Sequence, residues 1–288
     1  MRLTIKNMKQ YLFKAFDDIG DEYRRNRFEF KVPSLRVSLT GDCNENCFYC
    51  HNEGIPKKSS SIISTGDIIN IIYALRGYGL KKIKFTGGEP LLFADLKNLL
   101  YKVKHISDIS IFITTNGTLI KKRIKDLSPN IIKKISVSLD TLDAGIYKFI
   151  TGKNMLEDVL AGINILKKDG YGVEIDNLLL KGLNTNKKCL KRIMDYCTGN
   201  GFDLQFIELS DKISAPYYLK YHADPIRILQ KAGLNFDPER PNDRQFFRVN
   251  GVKMTVCRSI KDLNESSNGR CGGLRLLPNG FLKDFFYE

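Results

Sequence analysis

A chain of 288 residues with 42% apolar side chains can bury a full hydrophobic core, as one large domain or as a domain with a C-terminal extension. The net charge of +14 comes from 46 Lys and Arg against 32 Asp and Glu, spread in small clusters such as Lys57-Lys58, Lys81-Lys82 and Lys187-Lys188 without an aromatic ladder or nucleic-acid motif, so solvated faces are expected and a nucleic-acid interface is not. Seven cysteines without a regular framework, and no apolar run in residues 1 to 30 long enough for a signal h-region or a membrane span, argue against a disulfide-built secreted domain and a membrane protein; a reducing cytoplasm is the expected location.

Residues 6 to 20 carry Met8, Tyr11, Leu12, Ala15, Phe16 and Ile19 at helical spacing and predict an amphipathic helix ending at Gly20. From Leu35 onward, β-type apolar runs alternate with helical patterns. Strands are predicted near 35–40, 82–86, 109–114, 133–138, 172–179 and 203–208, and helices near 65–77, 92–104, 119–126, 155–169 and 186–198. Strands separated by such crossovers pair in parallel with right-handed connections. The expected fold is therefore α/β: a partial (β/α)6 barrel of TIM type over 34–215, preceded by an N-terminal helical extension over 1–33. From about residue 216 the alternation stops, and Pro216, Pro225, Pro238 and Pro241 precede hairpin signals at Asn250-Gly251 and Asn279-Gly280. These predict an α+β C-terminal extension over 216–288, lying across the open side of the barrel.

In such a barrel, chemistry collects where strands end and loops begin. Strand one runs into Cys43, Cys47 and Cys50, a Cys-x3-Cys-x2-Cys run. A cube of four irons takes one thiolate per iron, so three clustered cysteines point to a [4Fe-4S] cluster with one iron left open for a small molecule. Three other readings stand beside it. Cys47-Phe48-Tyr49-Cys50-His51 fits the c-type haem attachment pattern, which needs a secretory signal. The three cysteines and His51 could close a zinc site, although ligands this close together are geometrically awkward, and buried inert thiols are the third alternative. Strand two ends in Gly87-Gly88-Glu89-Pro90, strand three in Thr114-Thr115-Asn116-Gly117, strand four in Ser136 to Asp140, and strand six in Ile207-Glu208. Glycines let the backbone approach a ligand, while Glu, Asn and Ser offer hydrogen bonds to amino, carboxylate and ribose groups. Cys189 and Cys197, on one predicted helix, are read as packed thiols.

The three-cysteine run followed by Gly87-Gly88-Glu89-Pro90 resembles the signature of the radical S-adenosylmethionine (SAM) enzymes. Ser136 to Asp143, Ile150-Thr151-Gly152, Phe206-Ile207-Glu208 and Leu274-Arg275-Leu276 narrow this further, being similar to the molybdenum-cofactor GTP 3′,8-cyclases (MoaA family). The resemblance implies that Cys43, Cys47 and Cys50 ligate one [4Fe-4S] cluster whose open iron takes SAM. It implies that Tyr49, Gly87, Gly88, Glu89, Pro90, Asn116, Ser138 and Ser210 bind this cofactor. Arg36, Lys84 and Thr114 fall at positions that face the family's substrate, and Glu174, Asp176 and Arg275 are further candidate substrate contacts. An electron donor such as flavodoxin or ferredoxin is implied, and a small-molecule substrate that loses a hydrogen atom to a 5′-deoxyadenosyl radical.

The departures from the family are concentrated in the tail and in the substrate positions. Family members build a second cluster on three tail cysteines; in register, Asn268 and Phe285 stand at two of these positions and only Cys271 remains, so no second cluster is expected. The pair Cys257 and Cys271 is read as coincidental in spacing. Gly273 and Gln205 replace family arginines, Lys84 stands where Arg is usual, and Glu174 and Asp176 occupy a strand that commonly reads Lys-x-Asn. The sequence also ends at Glu288 without the family's Gly-Gly tail. The expected function is a MoaA-like radical SAM enzyme acting on a small molecule, a nucleotide among the candidates. GTP 3′,8-cyclisation, peptide maturation and a non-catalytic metal-binding role are the alternatives.

Overall fold

The computed structural model describes residues 31–50, 63–106, 108–210, 215–234, 244–258 and 273–284. The predicted helix over 6–20 lies outside the described residues, as do Asn268, Cys271 and Phe285.

Six parallel strands follow one another in sequence order: β1 (Ser34–Ser38), β2 (Lys82–Thr86), β3 (Ser110–Thr115), β4 (Ile132–Ser138), β5 (Val173–Leu179) and β6 (Asp203–Glu208). The crossovers carry α1 (Thr65–Arg76), α2 (Leu96–Lys104), α3 (Ile120–Arg123), then α4 (Ala144–Thr151) with α5 (Leu156–Lys168), and α6 (Lys187–Asn200). Local chemistry sets their ends. Ser64, Asp143 and Asn186 cap α1, α4 and α6 by accepting from the backbone N–H three residues on. Gly152 and Gly201, at φ 69° and 73°, let the chain leave α4 and α6 in the left-handed conformation.

Alternation along the strands divides the sheet into two faces. Leu35, Val37, Ile83, Phe85, Ile113, Ile135, Val137, Ile175, Leu204 and Phe206 are all 1% exposed or less and form one core with residues of the surrounding helices such as Ile68, Leu99, Val159 and Ile163. The intervening positions hold Arg36, Lys84, Phe112, Thr114, Ser136, Glu174, Asp176 and Gln205 on the opposite, inner face. This two-sided character is what an open, helix-wrapped barrel requires.

The last third pairs differently from the sequence expectation. After α7 (Ala215–Tyr221) and α8 (Pro225–Lys231) come β7 (Arg244–Val249), β8 (Val252–Cys257), β9 (Leu274–Leu276) and β10 (Leu282–Asp284). Both predicted hairpins form, with Asn250 and Gly251 at φ 50° and 80° in the first turn and Gly280 at 84° in the second. Rather than only lying across the open side, they enter the sheet: β8 pairs in parallel with β6, and β9 in parallel with β1. The strand order is β10-β9-β1-β2-β3-β4-β5-β6-β8-β7, so the hairpins extend both edges and the barrel stays open. A turn signal specifies a hairpin but carries no information about which edge will receive it. Helix α4 was not expected either; eight residues containing Gly145 offer too little periodicity to register.

Candidate active site

Beyond β1 the chain runs through Leu39 and Thr40 into the loop from Asp42 to Cys50. Four backbone hydrogen bonds clamp this loop. Gly88 N donates to Thr40 O and Glu89 N to Asp42 O, both at 2.7 Å, while Asn46 N and Phe48 N donate to Thr151 O and Ile150 O at 2.9 and 3.1 Å. The loop is thus held between the Gly-Gly turn and the C-terminus of α4. The glycines are there for this approach: a Cβ on Gly88 would stand 2.0 Å from Asp42 O, and one on Gly87, at φ 141°, 2.5 Å from Thr40 O. What approaches them in this structure is the cysteine loop itself, a role beyond the ligand approach expected from the sequence.

Glu89 and Pro90 stand behind the site wall. Pro90 opens a 3₁₀ turn, Pro90–Leu92, and the Glu89 carboxylate accepts from Leu91 N at 3.0 Å, Thr115 Oγ1 at 2.6 Å and Asn116 N at 2.8 Å. Burial pushes the Glu89 carboxyl up to about 7, against the pull of these three donors. Its work here is to tie the end of β2 to the end of β3. Asn116 passes the connection on, donating from Nδ2 to Asn44 Oδ1 at 2.9 Å and accepting at Oδ1 from Thr118 N and Oγ1 at 3.1 and 2.7 Å.

A cavity of about 200 Å³ opens at these strand ends. Cys43, Cys47 and Cys50 converge on it, and of the expected cofactor residues Tyr49, Gly87, Gly88, Asn116 and Ser138 line it. Thr114, expected on the substrate side, lines it too, and its buried Oγ1 has no hydrogen-bond partner among the described residues. Ser210, Arg36, Lys84, Glu174, Asp176 and Arg275 are not among its walls. No three His, Cys, Asp or Glu side chains among the described residues are gathered tightly enough for a single ion, whereas a cube with one thiolate per iron asks only for three thiols around a common space. Three thiols, an orphaned hydroxyl and room for a small molecule fit a [4Fe-4S] cluster with SAM.

Glu45, Asp140 and Tyr147 are among the wall residues that the sequence did not assign to the site. Glu45, inside the cysteine run, accepts from the Tyr147 hydroxyl of α4 and lies 3.7 Å from Cys47 Sγ. Asp140, at the end of β4, accepts from Tyr49 Oη at 2.7 Å and from Leu178 N at 2.9 Å, which fixes the Tyr49 ring. Burial raises the Glu45 carboxyl to about 7, the Asp140 carboxyl to about 6 and the Cys43 thiol to about 11, and pushes Cys47 higher still. The cavity alone therefore disfavours thiolates, and bound iron is what would draw them out. Of the three, only Asp140 carried a sequence signal, as the last residue of the strand-four motif.

Beneath the cavity, deeper in the barrel on the same strand face, lies a charged floor. Lys84 Nζ donates to Ser136 Oγ at 3.5 Å, and Ser136 Oγ to Glu174 Oε1 at 3.0 Å. Lys134 Nζ bridges Glu174 Oε2 at 3.4 Å and Asp203 Oδ2 at 2.5 Å. In register, Arg36 stands between Arg275 and Lys84, and Asp176 beside Ser138. Cations thus occupy β9, β1 and β2, and carboxylates β5 and β6, with Lys134 between the two acids. Lys134 and Asp203 were missed because neither belongs to a motif; only strand pairing brings them together.

Comparison with known proteins agrees with this geometry. The profile of the Radical SAM superfamily matches residues 37–197. A protein named "Probable GTP 3′,8-cyclase" from Methanococcus maripaludis (strain C6) is 34% identical over 264 residues, covering 90% of this chain and 86% of the relative. One of the same name from Methanocella arvoryzae is 35% identical over 258 residues, covering 88% and 81%. Among solved structures, SuiB of Streptococcus suis bound to S-adenosylmethionine superposes with a TM-score of 0.68 at 18% identity, over 98% of this chain and 67% of that one, which speaks for the fold alone. With a cysteine loop clamped over the strand ends of an open barrel and relatives matched over nine-tenths of its length, the chain belongs to the radical SAM superfamily, as a MoaA-like enzyme.

Proposed function

We propose that this enzyme holds a single [4Fe-4S] cluster on Cys43, Cys47 and Cys50 and acts on a small molecule of the nucleotide class other than GTP, seated over the charged floor. When bound, the cluster and SAM supply one chemistry, reductive cleavage of the sulfonium to a carbon radical that abstracts a hydrogen atom. The protein's own residues position the reactants. Tyr49, oriented by Asp140, and Asn116, Ser138 and Thr114 offer hydrogen bonds inside the cavity, while the buried Glu89 keeps the ends of β2 and β3 in place. The floor below would receive the substrate, with Arg36, Lys84 and Arg275 toward anionic groups and Glu174 and Asp176 toward donors.

The observation that carries the choice of substrate is Lys134. Its charge is already taken up by Glu174 and Asp203, so among the described residues the β4–β6 side of the inner face turns carboxylates rather than an available cation toward a triphosphate. A flavodoxin- or ferredoxin-type electron donor and a cytoplasmic location complete the reading, with no nucleic-acid or membrane partner. Among the described residues no helix is long and apolar enough to cross a membrane.

The test is anaerobic reconstitution, iron and sulfide counting, then incubation with SAM and dithionite with and without GTP while 5′-deoxyadenosine is followed. About four irons per chain, with release that GTP does not accelerate, supports the proposal. The names of the relatives favour a second reading, GTP 3′,8-cyclisation. About eight irons with GTP-dependent release would establish that reading and end the first.

A further inference from the structure

Phe48 sits between two cluster cysteines yet takes no part in the main core. It belongs to a separate apolar cluster with Ile150, Leu180, Leu209 and Tyr221 at the C-terminal end of the barrel. Its ring centroid lies 4.8 Å from that of Tyr221, 5.5 Å from Tyr217 and 5.8 Å from Phe149. Two of these rings open to solvent, Phe149 at 56% and Tyr217 at 45% exposure. An aromatic surface therefore runs from solvent to the peptide that joins Cys47 to Cys50, and Cys50 is itself exposed. Contiguous exposed aromatic rings are a feature of interaction surfaces.

Among the described residues, the segments that frame the patch are basic. Three segments frame it: α4 with the turn after it (144–155), the loop 180–186, and α7 with the residues after it (215–223). The cysteine loop bonds to α4 through Asn46 N and Phe48 N, and Lys181 N donates to Tyr221 O at 2.8 Å. These segments carry Lys148, Lys153, Lys181 and Lys220, all exposed, and no Asp or Glu. Lys220 Nζ lies over the Tyr221 ring, 5.0 Å from its centroid. Of the acids next to these segments, Asp143 and Asp224 are engaged as N-caps of α4 and α8, while Glu157 and Asp158 stand exposed in the first turn of α5.

We infer that this lysine-ringed aromatic patch is the docking surface for a small acidic one-electron carrier, a proposal that rests on the radical SAM reading, since only a site that consumes electrons needs one. In the encounter the carrier is oxidised by one electron, which enters at the three-cysteine site, and no atom or proton changes hands. Phe149 and Tyr217 lie outside the cavity walls, which suits a partner that must come close to the cysteines without entering the site. Electron-transfer encounters are small, below about 1,200 Å² of buried surface, and are steered by complementary charge, as a few rings framed by lysines would allow.

The experiment uses reconstituted enzyme and purified flavodoxin. Binding of oxidised flavodoxin is measured by calorimetry at low and high salt, and 5′-deoxyadenosine formation is driven either by reduced flavodoxin or by dithionite. The variants are Phe149→Ser and the charge reversal Lys148→Glu/Lys220→Glu, both on exposed side chains. The expected result is wild-type binding that weakens as salt rises, about tenfold weaker binding in each variant, a matching loss of the flavodoxin-driven rate, and an unchanged dithionite-driven rate. Variants that bind flavodoxin like wild type overturn the proposal, as does wild-type protein that self-associates through this face in sedimentation. If Phe149→Ser also slows the dithionite reaction, the loop has been disturbed, and the lysine reversals alone decide. Failure of dithionite to cleave SAM in wild type refutes the enzymatic reading instead, a result that the binding measurement does not share.

Discussion

Replacing Gly88 with alanine tests whether the Gly-Gly turn exists for the cysteine loop or for a ligand. The added Cβ would lie 2.0 Å from Asp42 O, 2.5 Å from Asp42 C and 2.8 Å from Gly41 O. Carbon–oxygen contacts settle near about 3.3 Å, so the two backbones must separate by roughly 1 Å. Two hydrogen bonds of 2.7 Å, Gly88 N to Thr40 O and Glu89 N to Asp42 O, cross the same seam and would stretch with it. Overpacking of this kind costs about 1–3 kcal/mol and each weakened bond about 1 kcal/mol, a total of roughly 3–5 kcal/mol concentrated on the segment that bears Cys43. The control is Gly66→Ala in α1, where the new Cβ meets only Ser64 Oγ at 3.7 Å. That change is expected to be neutral or stabilising by up to about 1 kcal/mol. The assays are thermal unfolding of the metal-free protein and iron retained after reconstitution. Gly88→Ala should unfold several degrees earlier and retain less than half the iron, with Gly66→Ala matching wild type. If Gly88→Ala kept its melting temperature and iron but lost only SAM affinity, the glycine would serve the ligand and the packing argument would be wrong.

The charged floor gives a second prediction: Lys134→Met leaves Glu174 and Asp203 facing each other without their shared cation, and because all three side chains are partly exposed the loss should be about 1–3 kcal/mol in urea unfolding, partly recovered by adding Asp203→Asn. The exposed pair Lys191–Asp195 is the comparison, and Lys191→Met should change stability by less than about 0.5 kcal/mol. Glu89 gives a pH prediction. With its folded pKa raised to about 7, the folded state holds a proton that the unfolded chain has already released, so this contribution is full below the unfolded value of 4.5 and is lost as pH rises towards about 7. Urea midpoints of metal-free protein between pH 5 and 8 should therefore fall less steeply in Glu89→Gln than in wild type; an equal fall would show that Glu89 does not titrate in this window. Finally, Asp140→Ala frees the Tyr49 hydroxyl and removes the acceptor of Leu178 N, and should weaken SAM binding about tenfold while leaving the iron count intact.

What could be read from the sequence was whatever repeats or clusters along the chain. The six central strands announce themselves because Leu35 and Val37, Ile83 and Phe85, Ile135 and Val137 alternate with polar neighbours, and the cysteine loop because its three thiols lie within eight residues. What escaped is produced by folding. Tyr147 reaches Glu45 only because a short, unannounced helix lies against the loop, and Lys134 finds Asp203 only because β5 places Glu174 between them. Gly88 and Glu89 also do work that the motif did not announce, backbone packing against the cysteine loop and acceptance from three donors at the neighbouring strand ends.

The strand alternation also explains how such a site can change its substrate without losing its radical chemistry. Arg36, Lys84, Ser136 and Glu174 each occupy a strand position whose neighbours on either side are buried apolar residues of the outer face, so they can be exchanged while Val37, Phe85, Val137 and Ile175 stay packed. The cysteine loop has no such freedom: its backbone bonds run to Gly88, Glu89, Ile150 and Thr151, and a side chain added at Gly87 or Gly88 strikes the loop itself. Substitution on the inner face is therefore expected to cost only the polar contacts made there, and substitution at the Gly-Gly turn to displace the loop backbone. A change of substrate would fall on the face where side chains are independent of the core, leaving the cage around the three thiols in place.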